Sequence, residues 1–174
     1  MARFPDGSLL PQEAVRLCAL GLLGEGARPL AALAREARRI VAFHLGASLD
    51  AEGEAIASLP VLGLARAERA PGAPPGDAML HATDAGAEEL RALLMSPPAR
   101  PGSDLGRAVA ALKLRFAGAL AGEDRHAMLA ALLDAARADL ARHDEAGPAA
   151  TPLDAAEREA AALRAGAIAG MIGR

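Results

Sequence analysis

The spacing of apolar residues in the first part of the chain predicts a series of short, densely packed helices. Pro11 suits the first turn of a helix that runs to about Gly24. This segment has so little polar face that we expect the helix to be buried on most sides. Pro29 then opens a second helix. Its inward stripe is Leu33, Ala37 and Ile40.

After the second helix, the pattern changes from helices to a hairpin. A third helix is predicted from a cap at Ser48 to a stop at Gly63. Residues 64–69 and 77–82 flank a tip rich in Pro and Gly, which predicts a two-stranded hairpin. Thr83, or the acid that follows it, then caps a fourth helix. Three helices, a hairpin and a further helix, in that order, are typical of a winged helix-turn-helix.

Three longer amphipathic helices are predicted after Gly102. Ser103 caps the first, the second begins near Glu123, and the third opens at 151–152. An intramolecular three-helix bundle would cover their apolar faces. We favour the pairing of two chains, because about 70 residues in one layer of helices bury little surface alone. The residues assigned to dimerisation are Leu105, Val109, Leu112, Phe116 and Leu120. The last of these three C-terminal helices carries an apolar stripe of Leu153, Ala156, Ala160, Leu163, Ala167 and Met171.

A segment rich in Pro and Gly at 97–102 separates the two sets of helices. Such a segment continues neither a helix nor a central strand, so we interpret it as a linker. The sequence therefore predicts a domain over 1–96 and a second, helical domain over 103–174.

Composition narrows the classes of protein that this chain can belong to. The chain has 174 residues, of which 52% are hydrophobic and 24% charged, and this is globular composition. The single cysteine, Cys18, excludes a disulfide scaffold and a metal site built on several thiolates. Pro5 and Asp6 stand where a signal peptide would be apolar, and the apolar run at 17–23 is too short to cross a bilayer. We therefore expect a cytoplasmic protein that does not bind membranes.

Four segments resemble PadR-like transcriptional regulators. Residues 10–26 resemble the first helix of that family, and 59–64 resemble the end of its recognition helix where the chain enters the wing. Residues 80–86 are similar to the wing-to-helix junction that the family shares with MarR-like proteins, and 112–116 resemble the start of its C-terminal helical domain. The resemblance implies a mostly α fold: an N-terminal winged helix-turn-helix with three helices, a two-stranded wing and a linker helix, followed by a helical dimerisation domain.

The same resemblance implies a homodimer that binds a pseudo-palindromic operator in double-stranded DNA, as a repressor released by a small-molecule effector. The net charge of −3 gives no general attraction to DNA, and residues 1–96 hold nine Arg against 12 acids. The cations are clustered, however, on the second helix and on the outgoing strand of the wing. The residues assigned to phosphates are Arg35, Arg38, Arg39, Arg66 and Arg69.

The helix predicted from Ser48 to Gly63, which would enter the DNA groove, is rich in acidic residues at its start, and this disagrees with strong DNA binding. The residues assigned to the groove are Ser48, Glu54 and Ser58. Glu54 could accept a hydrogen bond from a cytosine amino group, but the start of the helix holds Asp50, Glu52 and Glu54 and no cation. Weak or salt-sensitive DNA binding is therefore expected. The alternatives are that the arginines form only a solvated face, or that the chain is a degenerate winged-helix scaffold for protein interaction or ligand binding.

Enzymatic and metal chemistry have little support. The chain has no Gly-x-Ser-x-Gly elbow, phosphate-cradling loop or His-Glu-x-x-His motif. Asp139 and His143 lie one helical turn apart and could form half of a metal site, but an exposed surface pair is the simpler account. We expect no catalytic residues, no metal and no cofactor.

Overall fold

The computed structural model describes residues 7–45, 52–98, 102–147 and 151–172. Within these ranges the chain is mostly helical, as predicted, and carries one small antiparallel sheet. The elements are α1 (Pro11–Gly24), β1 (Arg28–Pro29), α2 (Leu30–Leu45), α3 (Glu52–Ala57), β2 (Ala65–Glu68), β3 (Met79–Ala82), α4 (Asp84–Leu94), α5 (Asp104–Arg115), α6 (Gly122–Glu145) and α7 (Pro152–Ile172). Short 3-10 turns lie at Pro75–Asp77 and Ala117–Ala119.

The first helix is the centre of the fold. Pro11 occupies its first turn, and the backbone N–H of Leu10 donates to the Glu13 carboxylate at 2.9 Å. Every residue from 13 to 23 is buried, since α1 packs against α2, α3, α4 and α5. The prediction of a central buried helix is confirmed. On α2 the inward position expected for Ile40 belongs to Val41, which is 1% exposed, while Ile40 is only half-buried.

The predicted two-stranded hairpin is confirmed as the antiparallel pair β2 and β3, and a third strand, β1, which was not predicted, joins the same sheet. The sheet has the order β1-β3-β2, with Arg28 opposite Leu80 and Pro29 opposite Met79. The extra strand lies at the edge of the sheet, where a proline is tolerated because its missing N–H is not needed there. Pro29 was interpreted only as the start of a helix, and this hid the two-residue strand that it forms with Arg28.

The third helix ends earlier than expected. It stops at Ala57, and the chain then turns through 58–63 to Gly63, which adopts the left-handed conformation with φ of +72°. Pro60 explains the difference, because it has no N–H to continue a helix. The N–H of Leu64 instead donates to the carbonyl of Leu59 at 2.9 Å and closes the turn.

The base of the wing at Gly63 and Leu64, called the wing root below, contacts the start of α4 closely. Thr83 caps α4, as predicted: its hydroxyl accepts from the N–H of Gly86 at 3.1 Å and donates to the carbonyl of Gly63 at 2.7 Å. Gly86 is required here, since a Cβ at that position would overlap the carbonyl group of Leu64. These contacts fix the wing relative to the helical core.

The C-terminal helices begin close to where the sequence places them. Ser103 caps α5 through the N–H of Gly106 at 3.0 Å, and α5 packs on both α1 and α2. Helices α6 and α7 pack against each other. Nε of Arg91 on α4 donates a hydrogen bond to Oδ2 of Asp124 on α6 at 2.6 Å. This hydrogen bond raises the pKa of the Arg91 guanidinium above its ordinary value. The division of the chain into two domains at the linker stays a prediction.

The residues assigned to dimerisation lie mainly inside the chain. Leu105 is half-buried against the core, and the other four are fully buried. These four are Val109, Leu112, Phe116 and Leu120. Within the single chain their stripe packs into the chain's own core, and their assignment to dimerisation stays a prediction. Helix α7, by contrast, has two large apolar side chains exposed, Leu153 at 67% and Leu163 at 68%.

Candidate nucleic-acid interface

The exposed face of α2 carries three arginines. Arg35, Arg38 and Arg39 follow one another at spacings of three and one, so they share the side of the helix opposite its buried stripe. That stripe is Leu33, Ala37 and Val41. All three arginines are exposed, as the sequence predicts. Among the described residues, no carboxylate forms an ion pair with Arg35 or Arg39, so their guanidiniums are available to an external anion.

The second cationic feature is the outgoing strand of the wing. Arg66 is exposed on β2, but its Nη1 lies 2.5 Å from Oε1 of Glu68. Nε2 of His81, which lies opposite Arg66 in the sheet, is 3.5 Å from the other oxygen of the same carboxylate. Arg69, just beyond the strand, is exposed and has no ion pair within the described part of the chain. The wing therefore offers one uncompensated cation and one that is compensated by Glu68.

The residues assigned to the groove are only partly described. Glu54 is exposed on α3, while Ser58 is half-buried and its hydroxyl donates to the carbonyl of Ala55 at 2.9 Å. Ser58 is thus already engaged by its own turn. Ser48 lies outside the described residues. Glu54 is the one assigned groove residue whose side chain is both described and exposed.

An apolar tip between α3 and β2 was missed in the sequence. Val61 is 88% and Leu62 is 50% exposed, whereas Leu59 is fully buried. Val61 and Leu62 both lie in the segment that was predicted as the end of the third helix. The turn around Pro60 reverses the chain and directs both side chains outward. The signal that could have revealed this was Pro60 itself.

The described residues also bear on two other possibilities, a metal site and a membrane-spanning helix. No group of three or more His, Cys, Asp or Glu side chains within the described ranges could hold a metal ion. The expectation that Asp139 belongs to an exposed surface pair is wrong: the residue is 3% exposed, and its carboxylate accepts from Arg142 at 2.8 Å and from Arg164 at 3.2 Å. In the same ranges, no helix has the length and apolar character needed to cross a membrane.

Comparison with known families identifies the chain more closely. A model of the AphA-like transcriptional regulator family matches residues 4–155. The match covers the helical core, the wing and the helices up to the start of α7. No curated protein matches the chain.

Proposed function

Because the chain belongs to the AphA-like family of transcriptional regulators, we propose that it is a cytoplasmic, homodimeric DNA-binding repressor of the PadR-like type. Two copies would bind a pseudo-palindromic operator, and a small-molecule effector would release it. In this function the exposed face of α2 and the wing hold the DNA backbone, and α3 faces the groove.

The arginines on α2 are the observation that carries this proposal. Three guanidiniums share one exposed helix face, and Arg35 and Arg39 have no acidic partner among the described residues. Contacts to phosphate position a protein on DNA and give most of its salt dependence. The close contact at Thr83 and Gly86 supports the proposal too, since it holds the wing with Arg69 in a fixed relation to the helical core.

The exposed side of α7 supports association of two chains. Leu153 and Leu163 are among the few large hydrophobic side chains exposed in the described ranges, and Ala167 is exposed one turn beyond Leu163. From Ala165 to Ile172 the helix carries no charge at all. An apolar helix face of this kind is stabilised when a second copy covers it.

A salt titration of DNA binding tests the proposal. The chain is titrated into a fluorescent pool of genomic DNA fragments between 50 and 200 mM salt, conditions over which about 6–10 phosphate contacts change affinity strongly. The double variant Arg35→Gln/Arg39→Gln should lower the slope of log affinity against log salt by about 1.8, since each phosphate contact contributes about 0.9. Arg137→Gln is the matched control, because Arg137 is exposed on α6 away from the wing.

If the double variant and the control keep the wild-type slope, the α2 face does not contact DNA. If the wild-type protein binds no DNA even at the lowest salt, the repressor proposal fails as a whole. A second candidate would then stand: a winged-helix scaffold without operator binding. The exposed Glu54 on α3 and the ion pair between Arg66 and Glu68 favour this scaffold, because both reduce the positive charge offered to DNA.

A further inference from the structure

A large open cleft lies between the start of α5 and the pair formed by α6 and α7. Its volume is about 970 Å³, at the upper end of the range typical of small-molecule sites, roughly 300–1,000 Å³. The first turn of α5 contributes Ser103 and Arg107 to one wall. The floor comes from α6, and the opposite wall from α7. The cleft is distinct from the surface proposed to contact DNA.

A buried carboxylate organises the floor of this cleft. The side chain of Asp139 is only 4% exposed, and its two oxygens accept from two different arginines. Nη2 of Arg142 lies 2.8 Å from one oxygen, and Nη2 of Arg164 lies 3.2 Å from the other. The backbone of Gly102 covers the carboxylate, since a Cβ at that glycine would lie 3.4 Å from Oδ1. Asp139 therefore orients both guanidiniums from behind.

The two arginines keep unused donors on the open side. Their side chains are 55% and 34% exposed, for Arg142 and Arg164 respectively. A guanidinium has five N–H donors, and the hydrogen bond to Asp139 uses one donor of each arginine. Arg142, Arg164 and Asp139 together carry one net positive charge, and Glu157, which also lines the cleft, offsets part of it. A carboxylate matches the planar donor geometry of arginine.

The remaining charges around the cleft limit the ligand to a small negative charge. Arg107 is occupied by its own helix start, because it donates to the carbonyl of Gly102 at 2.8 Å and pairs with Asp104 at 2.5 Å. Glu157 lies exposed on the α7 side of the cleft and opposes a dianion more strongly than a monoanion. A monoanion suits this balance better than a phosphate dianion.

The cleft also has an apolar side. Ala156 and Ala160 form part of its α7 wall. A smaller recess of about 30 Å³ among Val109, Leu132 and Ile168 adjoins the cleft, and the two cavities share the side chains of Arg107 and Arg164. The recess has room for only about one water-sized group, so the apolar body of a ligand would lie along the alanines of the larger cleft.

We infer that this cleft binds a small organic acid. Its single carboxylate lies against Arg142 and Arg164, and its apolar body follows the alanine wall of α7. Binding does not depend on the proposed repressor function; only an effect of the ligand on DNA binding would rest on that function. A binding measurement without DNA therefore keeps the two proposals separate.

The experiment uses hexanoate as the probe and the full chain as the protein, with binding followed by ligand-detected NMR and calorimetry. Hexanamide is the neutral isostere, and inorganic phosphate is the competing anion. Hexanoate should bind, hexanamide should bind about tenfold more weakly or worse, and phosphate should compete poorly. Arg142→Gln should weaken hexanoate by about tenfold, whereas Arg137→Gln, an exposed change on the same helix, should leave it unchanged.

Equal binding of hexanoate and hexanamide would overturn the inference, since the arginines would then not recognise a charge. Displacement of hexanoate by an equal concentration of phosphate would also overturn it, because the cleft would then be a general anion site. The comparison of the two probes needs no variant, so it decides the matter even if Arg142→Gln disturbs the fold. Binding of hexanoate that survives Arg142→Gln would place the ligand elsewhere on the chain.

Discussion

Replacing Gly86 by alanine tests the close approach between the wing and α4. Gly86 is buried near the start of α4, and a Cβ there would lie 3.1 Å from the carbonyl carbon of Leu64 and nearer still to its oxygen. On the other side, Cδ2 of Leu20 on α1 would be 3.4 Å away. The new methyl group cannot move away from the Leu64 carbonyl without meeting α1. The backbone of the wing root must therefore shift.

The size of the effect follows from the contacts that this shift would disturb. Overpacking of a filled core costs about 1–3 kcal/mol. The two hydrogen bonds that Thr83 makes to the wing root, to the carbonyls of Leu64 and Gly63, contribute about 0.5–1.5 kcal/mol each. Alanine stabilises a helix by about 0.5–1 kcal/mol relative to glycine, which offsets part of this loss. We expect Gly86→Ala to lower the free energy of unfolding by about 2–4 kcal/mol.

Urea unfolding followed by circular dichroism measures this loss, with a lower midpoint and an unchanged slope as the expected result. The melting temperature should fall by about 4–16 °C, since each kcal/mol corresponds to about 2–4 °C in a chain of this size. Gly118→Ala is the control, because Gly118 is exposed with open space around it and the same change should be close to neutral. If Gly86→Ala is as stable as that control, the described approach of wing and helix is wrong.

Three further changes test other parts of the structure. Gly21→Ala should destabilise the fold by about 1–3 kcal/mol in urea unfolding, because its Cβ would lie 2.5 Å from the ring of Phe116, and Phe116→Leu in the same chain should recover part of the loss. Glu68→Gln should strengthen DNA binding at low salt by releasing Arg66 for phosphate, and an unchanged affinity in a mobility-shift titration would speak against a wing contact. If two copies pair through α7 as proposed, Leu163→Glu should shift the equilibrium from dimer to monomer in analytical ultracentrifugation, whereas a dimer that survives this change must use another surface.

Local signals in the sequence predicted most of the elements. The proline in the first turn of α1 and the side-chain caps at Thr83 and Ser103 are decided by neighbouring residues, and each lies where it was expected. The exposure of the α2 arginines was also predictable. It follows from the 3.6-residue period of the helix, because Leu33 and Ala37 face the core and Arg35 and Arg39 therefore do not.

Features that depend on distant residues could not be predicted in this way. The strand β1 exists because residues about 50 positions further along the chain supply its partner, and no local pattern marks two residues as a strand. From the sequence alone, the apolar stripe on α5 could pack against a second chain or against other helices of the same chain. The contacts within the chain appear only in the packing of α5 against α1, where Phe116 meets Gly21. The ion pair between Arg66 and Glu68 likewise depends on the side-chain conformations within the wing.

The position of α1 between the other helices has a consequence for how this protein can be divided. One flank of α1 is covered by α4 and another by α5, which comes after the linker. A fragment that stops at the linker would leave Gly21 and its neighbours facing water. We therefore expect such a fragment to aggregate, and the intact chain to melt in a single cooperative transition. A chimaera that takes α1 to α4 and the wing from a relative would therefore also need that relative's α5.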